Sequence, residues 1–247
     1  MKHTVPFTVV YESSELIAVN KASGIAVGGD RWDDGKERLD LLLSDALQRT
    51  VYTVHRIDKD TSGLVVFAKN AEAHKELSLA FERRSLKKRY IAVVYGRFPR
   101  GETVCDLPLV PDGNKRHVTI IDNHQGKPSL TRFKPLTVAG NFSVLEVLPE
   151  TGRTHQIRVH ASALGYPIIC DPLYCRNPKS VVLSSFKRKW RGDLFEEKPL
   201  LSRLGLHAAE IVLPDGTSLS APLPRDMGAL ITQMEKHGKE ALCRENP

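Results

Sequence analysis

Three short segments gather ionisable and hydrogen-bonding side chains more densely than a core strand or helix requires. The first is His55-Arg56-Ile57-Asp58-Lys59-Asp60-Thr61-Ser62-Gly63, directly ahead of the apolar run Leu64 to Ala68. A carboxylate at the mouth of a buried strand, two residues after an arginine, can have its charged form favoured by that neighbour and still be presented to a cleft. The same pattern also fits a surface turn held by an Arg–Asp pair. The second segment, Lys87-Lys88-Arg89-Tyr90, starts a strand with a phenol just after a cationic patch. Such a phenol can pack, or serve as a proton acceptor and hydrogen-bond donor. The third, Gly152-Arg153-Thr154-His155-Gln156-Ile157-Arg158-Val159-His160, sets two arginines, two histidines, a threonine and a glutamine around a predicted helix start. Free backbone donors there attract anions, and Arg158 suits a carboxylate or a phosphate.

Metal chemistry is not expected. His155 and His160 are five residues apart and do not share a helical face as a zinc-binding pair would. Cys170 and Cys175, with four residues between them, make a metal pair conceivable but read as reduced thiols. A hydrolytic glycosidase needs two carboxylates about 5–10 Å apart. The nearest spare, Asp60, reads as a cap on its own turn beside Thr61.

The elements that must hold these segments follow from periodicity. Phe7 to Tyr11 and Leu16 to Val19 read as a hairpin opening the domain. Leu39 to Leu47 and Ala71 to Arg84 carry apolar residues at helical spacing, the second with Asn70 as N-cap. Gly63 to Ala68 is a buried strand. Tyr90 to Tyr95, Val118 to Ile121, Leu130 to Leu136 and Phe142 to Leu148 make the middle third strand-rich, with a helix from about Thr154 to Gly165. After a loop from about Cys170 to Leu201, strands at His207 to Val212 and Ser218 to Ala221 flank the turn Pro214-Asp215-Gly216, and a helix from about Asp226 to His237 follows. The expected class is α+β, with a mixed, largely antiparallel central sheet flanked by helices and loops. No repeat or linker divides the chain, so residues 1–247 are expected to form one domain.

Composition excludes several classes. The apolar fraction of 41% and charged fraction of 26% are those of a globular protein, not of a disordered or fibrous one. No run reaches the roughly 18 apolar residues of a membrane span, and no secretory cleavage pattern follows the N-terminus, so a cytoplasmic protein is expected. The excess of 36 Lys and Arg over 29 Asp and Glu is uneven. Arg83, Arg84, Lys87, Lys88, Arg89, Arg97 and Arg100 lie in a stretch without a carboxylate, as do Arg176, Lys179, Lys187, Arg188, Lys189 and Arg191 around Trp190. Two acid-free basic blocks, one with an aromatic, point to a phosphate-contacting surface.

HRIDKDTSGLVVFAK, KKRYIAVVYG and GRTHQIRVHASALGYPIICDPLY, in this order and spacing, resemble the RluA family of pseudouridine synthases. Looser matches extend the likeness over roughly residues 7–225. The resemblance implies the pseudouridine synthase catalytic fold, with the family's N-terminal S4 RNA-binding domain expected to be absent. It implies Asp58 as the catalytic aspartate, Arg56 as the arginine that holds the target base out of the stack, Tyr90 as the active-site tyrosine, and Arg158 as the basic partner of the aspartate. His55, Thr61, Lys88, Arg153, Thr154, His155, Gln156, Lys187, Arg188 and Lys189 are the expected RNA contacts. The expected activity is isomerisation of uridine to pseudouridine in structured tRNA or rRNA by a monomer, with base flipping and no metal, nucleotide or redox cofactor. The alternative is a catalytically silent RNA-binding protein of the same fold. Ala22 stands after Lys21 where the family usually has proline, which bears on loop geometry and not on the catalytic set.

Overall fold

Local chemistry sets most of the element boundaries. Asn70 takes an extended backbone and its side chain accepts the Ala73 N–H, opening a helix whose Ala73 and Leu77 turn inward. Gly216, at φ +89°, closes the turn between two late strands, its N–H donating to the Leu213 carbonyl. The computed structural model describes residues 6–29, 37–113, 118–187, 190–193 and 196–237. In chain order the elements are β1 (Phe7–Glu12), β2 (Leu16–Lys21), α1 (Leu39–Leu47), β3 (Tyr52–Thr53), β4 (Ser62–Ala68), α2 (Ala71–Glu82), β5 (Lys87–Tyr95) and β6 (Thr103–Cys105). There follow β7 (Leu109–Val110), β8 (Ile120–Ile121), β9 (Thr131–Ala139), β10 (Phe142–Pro149), α3 (Gln156–Ala163), β11 (Leu206–Val212), β12 (Ser218–Ser220) and α4 (Arg225–His237).

Contacts divide the chain into two compact units, residues 1–89 with His207–Leu223, and Tyr90–Leu206 with residues 224–247. The chain passes between them within β5, within β11 and before α4. Neither unit is one continuous stretch, which is why no linker is visible in the sequence.

In the first unit β4 is central and buried at every position. It pairs antiparallel with β2 along its length, antiparallel with β3, and parallel with β11 at His207↔Ser62 and Ala208↔Gly63. β1 extends the sheet beside β2, and β12 pairs with β11. Leu64, Val66 and Ala68 face Ala73 and Leu77 of α2, joined by Leu16, Ala18, Ile211 and Leu219 in one core.

In the second unit β10 lies between β5 and β9, with β6 outside β9, all antiparallel. Pro135, which cannot donate to a ladder, sits inside β9 beyond the three residues that β6 pairs, where the β9–β10 register also shifts. Ala92, Val94, Leu145 and Val147 pack with Ile157 and Ala161 of α3, and with Phe98, Phe133 and Ile168.

The α+β class with a mixed, largely antiparallel sheet agrees with expectation, and the strand and helix assignments hold to within a few residues. The short strands β3, β6 and β7 and the 3-10 turn at Leu183–Ser185 carry too few residues to show a period, and the sequence gives no sign of them. Among the described residues, no helix is long and apolar enough to cross a membrane.

Candidate active site

In the first unit, the half-buried Asp58 begins a tight turn whose carbonyl accepts the Thr61 N–H at 3.1 Å. The turn is secured along its backbone. The Lys59 carbonyl takes the Gly24 N–H at 2.9 Å and the Lys21 ammonium at 2.9 Å, and the Asp60 carbonyl takes the Ser23 hydroxyl at 2.6 Å. Lys21 is 1% exposed, and its Nζ also donates to the Ala22 and Ile25 carbonyls. A buried ammonium shared among backbone carbonyls fixes a loop tightly, since each lost contact would leave charge or carbonyl unsatisfied. Thr61 is buried at the end of this turn.

His55 and Arg56 diverge. The His55 Nε2 accepts the Val66 N–H at 2.9 Å and its ring stacks on Phe81 with centroids 4.4 Å apart. Enclosure of the ring, helped by the nearby Lys88 charge, pushes its pKa down to about 3, so it is neutral at physiological pH. Arg56 is exposed, with a long 3.4 Å hydrogen bond from Nη1 to the Gly29 carbonyl. Lys88 is partly buried, and burial followed by the Arg84 charge lowers its pKa to about 8.

In the second unit, Tyr90 is half-buried against the core of that unit. Arg158, on the inner face of α3, is 2% exposed. Its Nε and Nη2 make a two-pronged ion pair with the fully buried Asp171, both at 2.8 Å, and its guanidinium lies 5.3 Å from the centre of the Tyr174 ring. The Tyr174 hydroxyl shares a 2.8 Å hydrogen bond with His155 Nδ1 and accepts the Thr119 N–H at 3.0 Å. His155 reaches that position with a left-handed backbone, φ 53°, at the N-cap of α3.

Gln156 is held within the fold. Its Oε1 accepts from the Thr151 hydroxyl and the Arg153 N–H, and its Nε2 donates to the Leu130 carbonyl and to Thr131 Oγ1. His160 continues the chain: Nε2 faces the Leu107 carbonyl, and Nδ1 faces Thr131 Oγ1 at 2.9 Å. Burial keeps its pKa below the usual imidazole value. Arg153 reaches the Pro128 carbonyl at 3.4 Å, and Thr154 is exposed. Lys187 lies 5.6 Å above the Trp190 ring, a cation–π contact. Arg188 and Lys189 lie outside the described residues, as does Cys243.

Sequence reasoning assigned no role to Asp171, Tyr174, Lys21 or His207. A signal for Asp171 existed: an arginine on the inner face of a predicted helix needs a buried counter-charge, and Asp171 stands just past that helix. Nothing in the sequence marked Tyr174 as the link between His155 and Arg158. Among the described residues no group of three or more His, Cys, Asp or Glu side chains gathers as a metal site would require.

A family model described as RNA pseudouridylate synthase matches residues 15–163, a span that holds the Asp58 turn, Tyr90 and Arg158. The chain belongs to that family. It is an RNA pseudouridine synthase, an isomerase. This synthase is 31% identical over 246 residues, 93% of its length and 73% of the relative's, to ribosomal large subunit pseudouridine synthase D of Zymomonas mobilis. It is 34% identical to the dual-specificity RNA pseudouridine synthase RluA of Vibrio vulnificus, covering 84% of this synthase and 78% of that one. Among solved structures it resembles human RNA pseudouridylate synthase domain containing 1, with a TM-score of 0.68 at 26% identity over 91% of this chain and 86% of that one. The structure of domain containing 4 gives 0.71 at 21% identity, covering 92% of each.

Proposed function

We propose that this synthase isomerises uridine in structured RNA with Asp58 as its essential carboxylate. The observation that carries the reading is the Asp58 turn itself: the one carboxylate that the family resemblance assigns to catalysis lies half-buried in a turn tied down by Thr61, Gly24, Ser23 and Lys21. A group that must meet a ribose or a uracil ring repeatedly needs that fixity. In the reaction the N1–C1′ bond of the uridine breaks, the freed uracil turns, C5 bonds to C1′, and the proton on C5 leaves while N1 gains one. Asp58 supplies the anionic oxygen at C1′ or C6. Tyr90 stacks on the uracil or takes part in removing the C5 proton. The family resemblance also implies a catalytic role for Arg158, whose guanidinium Asp171 holds in place on α3. Arg56, exposed two residues ahead of Asp58, replaces the extruded base in the stack, and flipping costs a few kcal/mol that cationic contacts to phosphate offset.

The proposed substrate class is ribosomal RNA ahead of tRNA. That order rests on relatives named for the large ribosomal subunit, while the dual-specificity relative keeps tRNA in the test. The two compact units are proposed to serve one catalytic domain. Tritium release from RNA labelled at uracil C5, on separate large-subunit rRNA and tRNA pools, tests the reading. Wild type should release tritium and Asp58→Ala should not. RNA bound without release by wild type would instead support a catalytically silent binder.

A further inference from the structure

Ser62, the first residue of β4, follows the Asp58–Thr61 turn directly and is fully buried. Its hydroxyl lies 3.0 Å from His207 Nδ1, across the parallel pairing of β4 and β11. That pairing is short, only His207↔Ser62 and Ala208↔Gly63, and unusually close: a Cβ built on Gly63 would stand 2.2 Å from the Ala208 carbonyl oxygen, and Gly63 has φ +118°. The other ring nitrogen of His207, Nε2, lies 3.1 Å from the Ala221 carbonyl. A carbonyl only accepts, so Nε2 carries the proton, and in that tautomer Nδ1 is the acceptor for the Ser62 hydroxyl. His207 is 0% exposed. The ring therefore ties the base of the turn to Ala221, one residue beyond β12.

We propose that His207 is a positioning residue for the reaction, holding Ser62 and through it the Asp58 turn in register. The Lys21, Ser23 and Gly24 contacts hold the turn from its other side, along the carbonyls of Lys59 and Asp60. Without the Ser62 hydrogen bond the strand end still packs, but the turn gains freedom at the residue that joins it to β4, and chemistry slows through lost orientation while RNA binding persists. This inference rests on the assignment of Asp58 as the catalytic carboxylate.

The two ring nitrogens separate the local contact from general stability. In His207→Asn the amide oxygen keeps an acceptor near the Nδ1 position for Ser62 and cannot reach Ala221. In His207→Gln the amide reaches Ala221 and offers Ser62 nothing at Nδ1. The experiment measures kcat and KM for tritium release from C5-labelled large-subunit rRNA and bulk tRNA, with thermal unfolding of every variant and Asp58→Asn as a control. His207→Gln and Ser62→Ala should each lose about tenfold in kcat at unchanged KM, the worth of one well-made hydrogen bond, while His207→Asn retains most of kcat despite a similar loss of stability. A kcat that tracks stability alone, or is equal in the Asn and Gln variants, would overturn the proposal while inactive Asp58→Asn leaves the catalytic assignment standing. Turnover by Asp58→Asn would remove both.

Discussion

Replacing Asp171 by Asn keeps the shape of a fully buried side chain and removes its charge. The Asn Oδ1 can still accept from Arg158 Nη2 and from the Leu173 and Tyr174 N–H groups, which the aspartate Oδ1 now serves at 2.8, 2.9 and 3.2 Å. Its Nδ2, however, would oppose the Nε–H of Arg158, which now donates to Oδ2 at 2.8 Å. With charges 2.8 Å apart the Coulombic attraction is about 6 kcal/mol at an effective dielectric constant of 20, before desolvation is subtracted. Breaking such a pair from one side removes the paired counter-charge of a guanidinium that is only 2% exposed, at about 3–5 kcal/mol. For a chain of this size that corresponds to a fall in Tm of about 10 °C. Differential scanning calorimetry of Asp171→Asn measures it, and the double variant Arg158→Met/Asp171→Leu supplies the second half of the test. Removing both charges should recover most of the stability and none of the activity. A fall below about 2 °C in the single variant, or additive losses in the double, would refute the account of Arg158 as a cation held by Asp171.

Two further outcomes follow from shifted pKa values. His55 has a folded pKa of about 3 against 6.5 unfolded, so the unfolded chain binds the extra proton between those values and stability falls as pH drops through that window. The loss at pH 5 is about 2 kcal/mol, and His55→Gln, which keeps an acceptor for the Val66 N–H, should remove that part of the change in Tm between pH 7 and 5; an unaltered difference would contradict it. Lys88, with its pKa lowered to about 8, should lose its charge above that pH unless phosphate holds the proton, so RNA affinity should weaken by up to about tenfold per pH unit above 8. Filter binding with Lys88→Arg, whose charge persists, should flatten that profile, and an equally steep one would remove Lys88 from the contact surface.

Features that depend on neighbours along the chain can be read before folding is considered. Helices α1 and α2 and the buried strand β4 are legible because their apolar periods run over nine, twelve and seven residues, and Asn70 marks its helix start by a contact three residues away. The Asp58 turn is equally local: the polar run from His55 to Thr61 stops where the apolar strand begins. The partners of the remaining polar groups come from folding. His55 and Gln156 look from sequence like groups offered to RNA, yet one accepts a strand N–H beneath Phe81 and the other is bonded at Thr131, Leu130, Thr151 and Arg153. Arg158 gains Asp171 from 13 residues away and Ser62 gains His207 from 145 away. No periodicity encodes such pairs, because a buried charge or hydroxyl is matched by whatever the folded chain brings within about 3 Å, and that distance is set by packing rather than by position in the sequence.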